Sequence, residues 1–335
     1  NGNVGRISVT VTATDGSNVS VSDTFDLSVA DVQTGWAIDG YLSNALVWID
    51  GDGDGVLDWT DGNGNAVWDS GEGESWTLTD ENGQFDGLIG DGLLRVTANP
   101  NGETRDISTG HAFTGSYTAP SGSAVINPIT TLIVAAGGDD NAETLIKTAL
   151  GIDPTVDLRT YDPLAAAADA GDGDAAALAI QIQTAATQIA TLLELATQAT
   201  QAAGAAEGDV GLVAAAVAEA LVDAAADNGG VLDLSNATIL ESAFDAAASA
   251  VLDADGYATV SALAGKIAAT AAIVNDLLQE TAAAASDAAR LGDTVDIEGA
   301  LKHLVATQIV TQETLSVQVT QAVTGASELT IPDAD

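Results

Sequence analysis

The 335-residue chain carries 49 acidic against 8 basic residues, a formal charge of −41. Such a surface repels nucleic-acid phosphates and anionic lipid headgroups, so neither is expected as a partner, and it attracts divalent cations. The absence of cysteine rules out disulfides and thiol chemistry and leaves the redox compartment open. Only three lysines occur (Lys147, Lys266, Lys302), which fits a salty medium or a calcium-loaded surface equally well. Apolar residues make up 46% of the chain but aromatics only 4%, so much of the core must be alanine, as in closely packed helices. The first residue is Asn1 and no basic-then-apolar leader follows, so the chain reads as an excised piece or a processed protein.

In chain order, residues 4–30 alternate apolar and polar. Ile7, Val9 and Val11 precede "TDGSN", and Val19, Val21, Phe25, Leu27 and Val29 follow it. This predicts two strands joined by a short turn, a unit too small to stand alone in water. Residues 36–126 predict a small β-sandwich-like module. "GYLSNALVWID" is a strand, "SWTLTDENGQFDGL" a hairpin turning at Asn82-Gly83, and "GLLRVTAN" a further strand. From "INPITTLIVAAGG" onward the pattern becomes helical. Ala/Leu/Ile/Val segments cover 141–150, 164–204, 209–227, 238–252, 258–285 and 296–311, broken by clusters such as "DNGG" and "DADG". The polar residues within 175–193, among them Gln183, Thr187 and Gln188, argue against a membrane span. In the tail, 313–335, Leu315, Val317 and Val319 alternate as in a strand, yet the composition also allows helix. The expected architecture is α+β and multidomain: terminal strands over 1–35, a calcium-binding β-module over 36–126, an Ala-rich helical bundle over 127–312, and a closing strand, helix end or linker.

The acidic stretch from Asp50 to Glu72 carries the chemistry. Counted from Asp50, Asp52 and Asp54 fall at positions 3 and 5, Gly55 at 6, Val56 at 7, Leu57 at 8, Asp58 at 9 and Asp61 at 12. This is the EF-hand loop spacing, in which alternate side chains and the carbonyl of position 7 converge on one calcium ion while glycine at 6 permits the sharp turn. Eleven residues on, Asp61, Asn63, Asn65, Val67, Asp69 and Glu72 repeat the ligand positions, with Trp68 at position 8 and Ala66 in place of the glycine. Asp61 is expected to close the first loop and open the second. All donors are oxygens with no Cys or His nearby, which favours calcium over zinc, and magnesium keeps more of its waters. An ion-free acidic turn would leave carboxylates crowded at a cost in repulsion.

Other features carry less. Asp169, Asp172 and Asp174 in "DAGDGDA" lack ligands at positions 9 and 12 and read as a solvated loop. Asp15, Asp23 and Asp31 read as exposed turn acids, with an inter-module calcium site as the alternative. The five tryptophans, Trp36, Trp48, Trp59, Trp68 and Trp76, all lie in the second unit; a sugar-stacking face there is the alternative to core packing. His111 and His303 sit in no catalytic motif, and no nucleophile elbow, zinc-protease helix or phosphate loop is present, so no enzymatic activity is expected.

Several segments resemble known families. "ISVTVTATDGSNVSVSDTFDLSV" resembles the last strands of cadherin-like repeats. The strand, acidic insertion and "TDENGQF" order resembles small transthyretin-like and collagen-adhesin B-type modules. Loops of this spacing without flanking helices resemble those of dockerins and thrombospondin type 3 repeats. "DGYLSNALVWIDGDGDGVLD", "DISTGHAFTGSYTAPSGSAVINPITTLI" and "TALGIDPTVDLRTYDPLAAA" together resemble a module of very large calcium-dependent bacterial surface proteins, including RTX-type adhesins. That resemblance implies export to the bacterial cell surface, calcium-driven folding outside the cell, and work as a spacer or adhesive module. Its partners would be calcium ions, neighbouring modules or further copies, and surface glycans or peptides. The glycine-rich nonapeptide of RTX proteins is absent, which leaves the secretion route open.

Overall fold

The computed structural model describes residues 5–29, 32–169, 173–290, 304, 306–310 and 314–329. Small sheets are followed by a helical region, an α+β layout. Strands β1 (Gly5–Thr14) and β2 (Ser20–Val29) form an antiparallel hairpin. Its turn is fixed by the Asp15 carboxylate, which accepts from the amides of Ser17 and Val19 at 2.8 and 3.0 Å. Cross-strand hydroxyl pairs Thr10–Thr24, Thr12–Ser22 and Thr14–Ser20 line one face. The other carries Val9, Val11, Ala13, Val21 and Phe25, with Val11, Val21 and Phe25 exposed.

Nine further strands follow: β3 (Val32–Ala37), β4 (Leu42–Ser43), β5 (Leu46–Asp50), β6 (Trp76–Leu78), β7 (Gln84–Ile89), β8 (Leu93–Thr97), β9 (Arg105–Asp106), β10 (Ser116–Ala119) and β11 (Val125–Ile126). One sheet has the order β10-β8-β5-β6 and is antiparallel. Another has the order β11-β3-β7, with β11 parallel to β3. A short β4-β9 pair completes the module.

The hairpin expected over 75–88 is not one. Its tight turn exists, with the amide of Asp80 donating to Gln84 O at 2.8 Å, but β6 pairs with β5 whereas β7 pairs with β3. The reason lies in β7, where Phe85 and Leu88 are both fully buried at a spacing of three. An extra residue around Gly87 (φ 86°) shifts the alternation, and the pairing register jumps between Gln33 and Gly35. The turn docks against β4: a Cβ on Gly83, whose φ is 80°, would lie 2.8 Å from Tyr41 Cβ. Gly83→Ala is therefore expected to cost about 2 kcal/mol in a urea unfolding series, from backbone strain and the clash together.

The helices are α1 (Pro128–Ala135), α2 (Asp140–Ala149), α3 (Pro163–Asp169), α4 (Gly173–Ala202), α5 (Val210–Asp227), α6 (Ala237–Val251), α7 (Ala254–Arg290) and α8 (Ser316–Val323). Local chemistry sets their starts. Asn127 and Thr130 form a reciprocal capping box ahead of Pro128, and Asp139 and Asn236 cap α2 and α6. The alternation at Leu315–Val319 does not make a strand; Ser316, Val319 and Val323 are the buried side of α8.

Helix α4 is the hub, packed against α1, α3, α5, α6, α7 and α8. Alanine lets the axes approach, and buried hydroxyls on α4 return to the helix itself, as Thr184 does to Ile180 O at 2.7 Å and Thr200 to Ala196 O at 2.9 Å. By length and composition α4 and α7 could each cross a membrane, but the most apolar window of α4 is 89% buried within the chain. The core runs without a break from Val47, Phe85, Leu94 and Val96 in the sheets to Ile129, Leu132, Ile189, Leu221 and Phe244 in the helices.

Candidate metal centre

Strand β5 is buried along its whole length and ends by placing Asp50, 1% exposed, at the mouth of the acidic stretch. From there the chain makes two turns of the same design. In the first, Asp50 Oδ1 accepts from the Gly53 amide at 2.7 Å and Oδ2 from that of Gly55 at 3.1 Å. Asp52 accepts from the Asp54 amide at 3.2 Å, and Asp54 from that of Val56 at 2.7 Å. Eleven residues later the pattern repeats bond for bond. Asp61 Oδ1 accepts from Gly64 at 2.5 Å and Oδ2 from Ala66 at 2.9 Å; Asn63 accepts from Asn65 at 3.0 Å, and Asn65 from Val67 at 2.9 Å. Positions 4 and 6 are left-handed in both turns: Gly53 (φ 82°) and Gly55 (φ 81°), then Gly64 (φ 78°) and Ala66 (φ 58°). An alanine there costs roughly 1 kcal/mol more than a glycine. The amide of Ala66, followed by those of Gly64, Asn65 and Asn63, holds the Asp61 carboxyl below the ordinary carboxylate range.

Two glutamates accept from the amides at positions 2 and 9 of the loops. Glu72 accepts from the amides of Gly62 (2.8 Å) and Asp69 (3.1 Å), positions 2 and 9 of the second loop. In the first loop the equivalent amides, of Gly51 (2.6 Å) and Asp58 (3.1 Å), donate to Glu74 and not to Asp61. The cause is an antiparallel crossing: Thr60 N donates to Glu72 O and Glu74 N to Asp58 O, with Trp59 bridged to Gly73. That crossing sets two glutamates, two residues apart, against the two loops. Gly73 is obligatory there, since a Cβ would lie 2.2 Å from Asp58 O.

Carboxylate oxygens of Asp50, Asp52 and Glu74 come within 4.8 Å of one another, as do those of Asp52, Asp54 and Asp58. With Asp52 common to both groups, five carboxylates gather at the first loop. In the second loop, Asp61, Asp69 and Glu72 form no such group among the described residues. There, Asp69 Oδ2 accepts instead from the side-chain amides of Asn63 (2.7 Å) and Asn65 (2.9 Å). Val56 and Val67 hold position 7 with exposed side chains, while Leu57 and Trp68 at position 8 are half-buried. One cation enters the site: Arg95 Nε on β8 lies 2.5 Å from Asp50 Oδ2, the two side chains being 13% and 0% exposed. Glu74 and Arg95 both escape a twelve-residue template, because one lies 24 and the other 45 positions beyond Asp50. The spacing Glu72-x-Glu74 beside Asp61-to-Asp50 is the signal that could have exposed the first.

The remaining candidates are dispersed. Asp31, Asp172, His303 and the side chain of Asp169 lie outside the described residues. Asp15, Asp23 and Asp174 are exposed and belong to no acidic group among the described residues. Trp59 is half-buried and packs edge-on against Trp76, ring centroids 4.9 Å apart at 74°, while Trp48 is buried.

A second set of carboxyls, unforeseen from sequence, sits where the sheets meet the bundle. Asp39 is 5% exposed; it accepts from Gln308 Nε2 at 2.7 Å, and its carbonyl accepts from Gln183 Nε2 at 3.2 Å. Around it stand Asp106, Tyr117 and Glu194. Burial first, then the charge of Asp106, pushes Asp39 up from 3.8 to about 8, and burial raises Glu194 as well. The folded chain thus holds a proton on Asp39 that the unfolded chain releases. The associated stability is full below the ordinary carboxylate range, falls as pH rises, and levels off above about 8. Asp39→Asn should flatten that decline, as melting temperatures taken from pH 5 to pH 9 would register.

Comparison with protein families, with curated proteins and with solved structures finds no match to this chain.

Proposed function

We propose that the chain is a calcium-stabilised extracellular module, structural or adhesive, of a bacterial surface protein. The observation that carries this reading is the paired turn at 50–74: two loops of one hydrogen-bonding design, eleven residues apart, with five carboxylates gathered at the first. An all-oxygen set of that size on a chain of charge −41 suits calcium. The ions act mechanically. They neutralise crowded carboxylates, lock the loops onto β5 and β8, and so brace the sheets on which the helices pack. Extracellular modules bind calcium at roughly 10⁻⁴–10⁻³ M, so the chain would stay loose where calcium is scarce and set where it is plentiful.

Limited proteolysis tests this. Cleavage within 51–73 should be suppressed by millimolar calcium and persist in chelator or in equimolar magnesium; equal cleavage in all three would refute the reading.

A second reading is favoured by the hairpin β1–β2, whose exposed Val11, Val21 and Phe25 could pack on another copy or neighbouring module in a surface layer or filament. Ordered arrays in negative stain with calcium would support it, and isolated particles would oppose it.

A further inference from the structure

Of the 8 basic residues in the chain, only Arg95 and Arg105 lie between 36 and 126. Arg105 is spent at the surface on Glu103, both side chains more than half exposed. Arg95 is placed otherwise. Its register opposite Trp48 on β5 and Thr118 on β10 puts it on an inner strand of the four-stranded sheet. Its guanidinium lies 3.5–3.6 Å from the point a Cβ on Gly55 would occupy, so it rests on the first loop itself. It pairs with Asp50 through the same Oδ2 that receives the Gly55 amide. Asp50 is the buried opening residue of that loop, and an ionised carboxylate so enclosed requires a partner charge. The equivalent residue of the second loop, Asp61, is half-buried and has no cation beside it among the described residues. Its carboxyl is met by backbone amides alone.

We infer that Arg95 is a resident countercharge that steadies the first loop before any ion arrives, so that without an ion the first loop opens less often than the second. One guanidinium cannot balance five carboxylates, so the steadied loop still attracts a divalent cation. The inference rests on the calcium reading for what finally fills the loops, but the contrast between them in the ion-free chain does not.

The test is amide hydrogen exchange on the whole chain in chelator. The matched amides are those of Gly53 and Gly55 on Asp50, against those of Gly64 and Ala66 on Asp61. The first pair is expected to exchange at least tenfold more slowly than the second. In Arg95→Gln the first pair should rise to the rate of the second, while α4 amides, followed in the same experiment, keep their protection. Should Arg95→Gln lose the fold altogether, Asp50→Asn removes the pairing charge but leaves an acceptor, and is expected to reduce the same protection. Equal rates for the two pairs in the unmodified chain, or slow exchange at Gly53 and Gly55 in both variants, would overturn the inference. Added calcium should then slow Gly64 and Ala66. Its failure to do so would sink the calcium reading, whereas the chelator comparison decides the role of Arg95.

Discussion

Raising free calcium from chelated levels to about 10 mM is expected to lift the melting temperature by roughly 5–15 °C. An ion bound only by the folded state stabilises by RT ln(1 + [L]/Kd). At the affinities of extracellular loops this is about 1.4–2.7 kcal/mol per ion, a substantial share of a domain's net stability. Two ions, at a few degrees or less per kcal/mol in a chain of this size, give the stated range. The variants carry the sharper information. With Asp61 shared between the loops, as the twelve-residue spacing suggests, Asp61→Ala would remove the whole calcium effect. The geometry assigns the amides of Gly51 and Asp58 to Glu74 instead. Glu74→Gln should therefore abolish the share of the first loop, Asp61→Ala that of the second, and only the double variant the entire shift.

The second large effect needs no ion. Asp50→Ala in chelator should lower the unfolding free energy by roughly 3–5 kcal/mol, the cost typical of breaking a buried ion pair from one side. It strands Arg95, 13% exposed, and leaves the amides of Gly53 and Gly55 without their acceptor. Asp52→Ala, on an exposed side chain one alternation away, should stay within about 0.5 kcal/mol in the same chelator series. Urea unfolding of the two variants separates an architectural carboxylate from one whose value appears only with the ion. Adding Arg95→Met to Asp50→Ala should recover part of the loss, because the stranded charge is then gone.

Much of this organisation was legible in the residues, for identifiable reasons. The 4–30 alternation, the change to a helical pattern at "INPITTLIVAAGG" and the Asp-rich spacing at 50–72 are local signals, and each corresponds to a local structure. What escaped was long-range. The turn at Asp80–Gln84 looked like a hairpin because its chemistry is that of one; only burial of Phe85 and Leu88 beside a shifted register sends β7 to a different sheet. Glu74 was hidden because strand crossing, not loop spacing, delivers it. Arg95 was hidden because an isolated basic residue on a strand gives no hint of the neighbouring strand end that it meets. The set formed by buried Asp39 and Asp106 with half-buried Glu194 joins three distant segments and has no sequence signature at all.

The central claim is that oxygen atoms of the 50–74 turns hold calcium and thereby stiffen the β-module. The most direct measurement is an electron-density map of the chain crystallised in millimolar calcium, with anomalous scattering to identify the ion. The account predicts a calcium ion at the first loop with ligand distances of about 2.3–2.6 Å, bounded by Asp50, Asp52, Asp54, Asp58 and Glu74, and a second ion among Asp61, Asn63, Asn65, Asp69 and Glu72. Density for water alone between those side chains would contradict it.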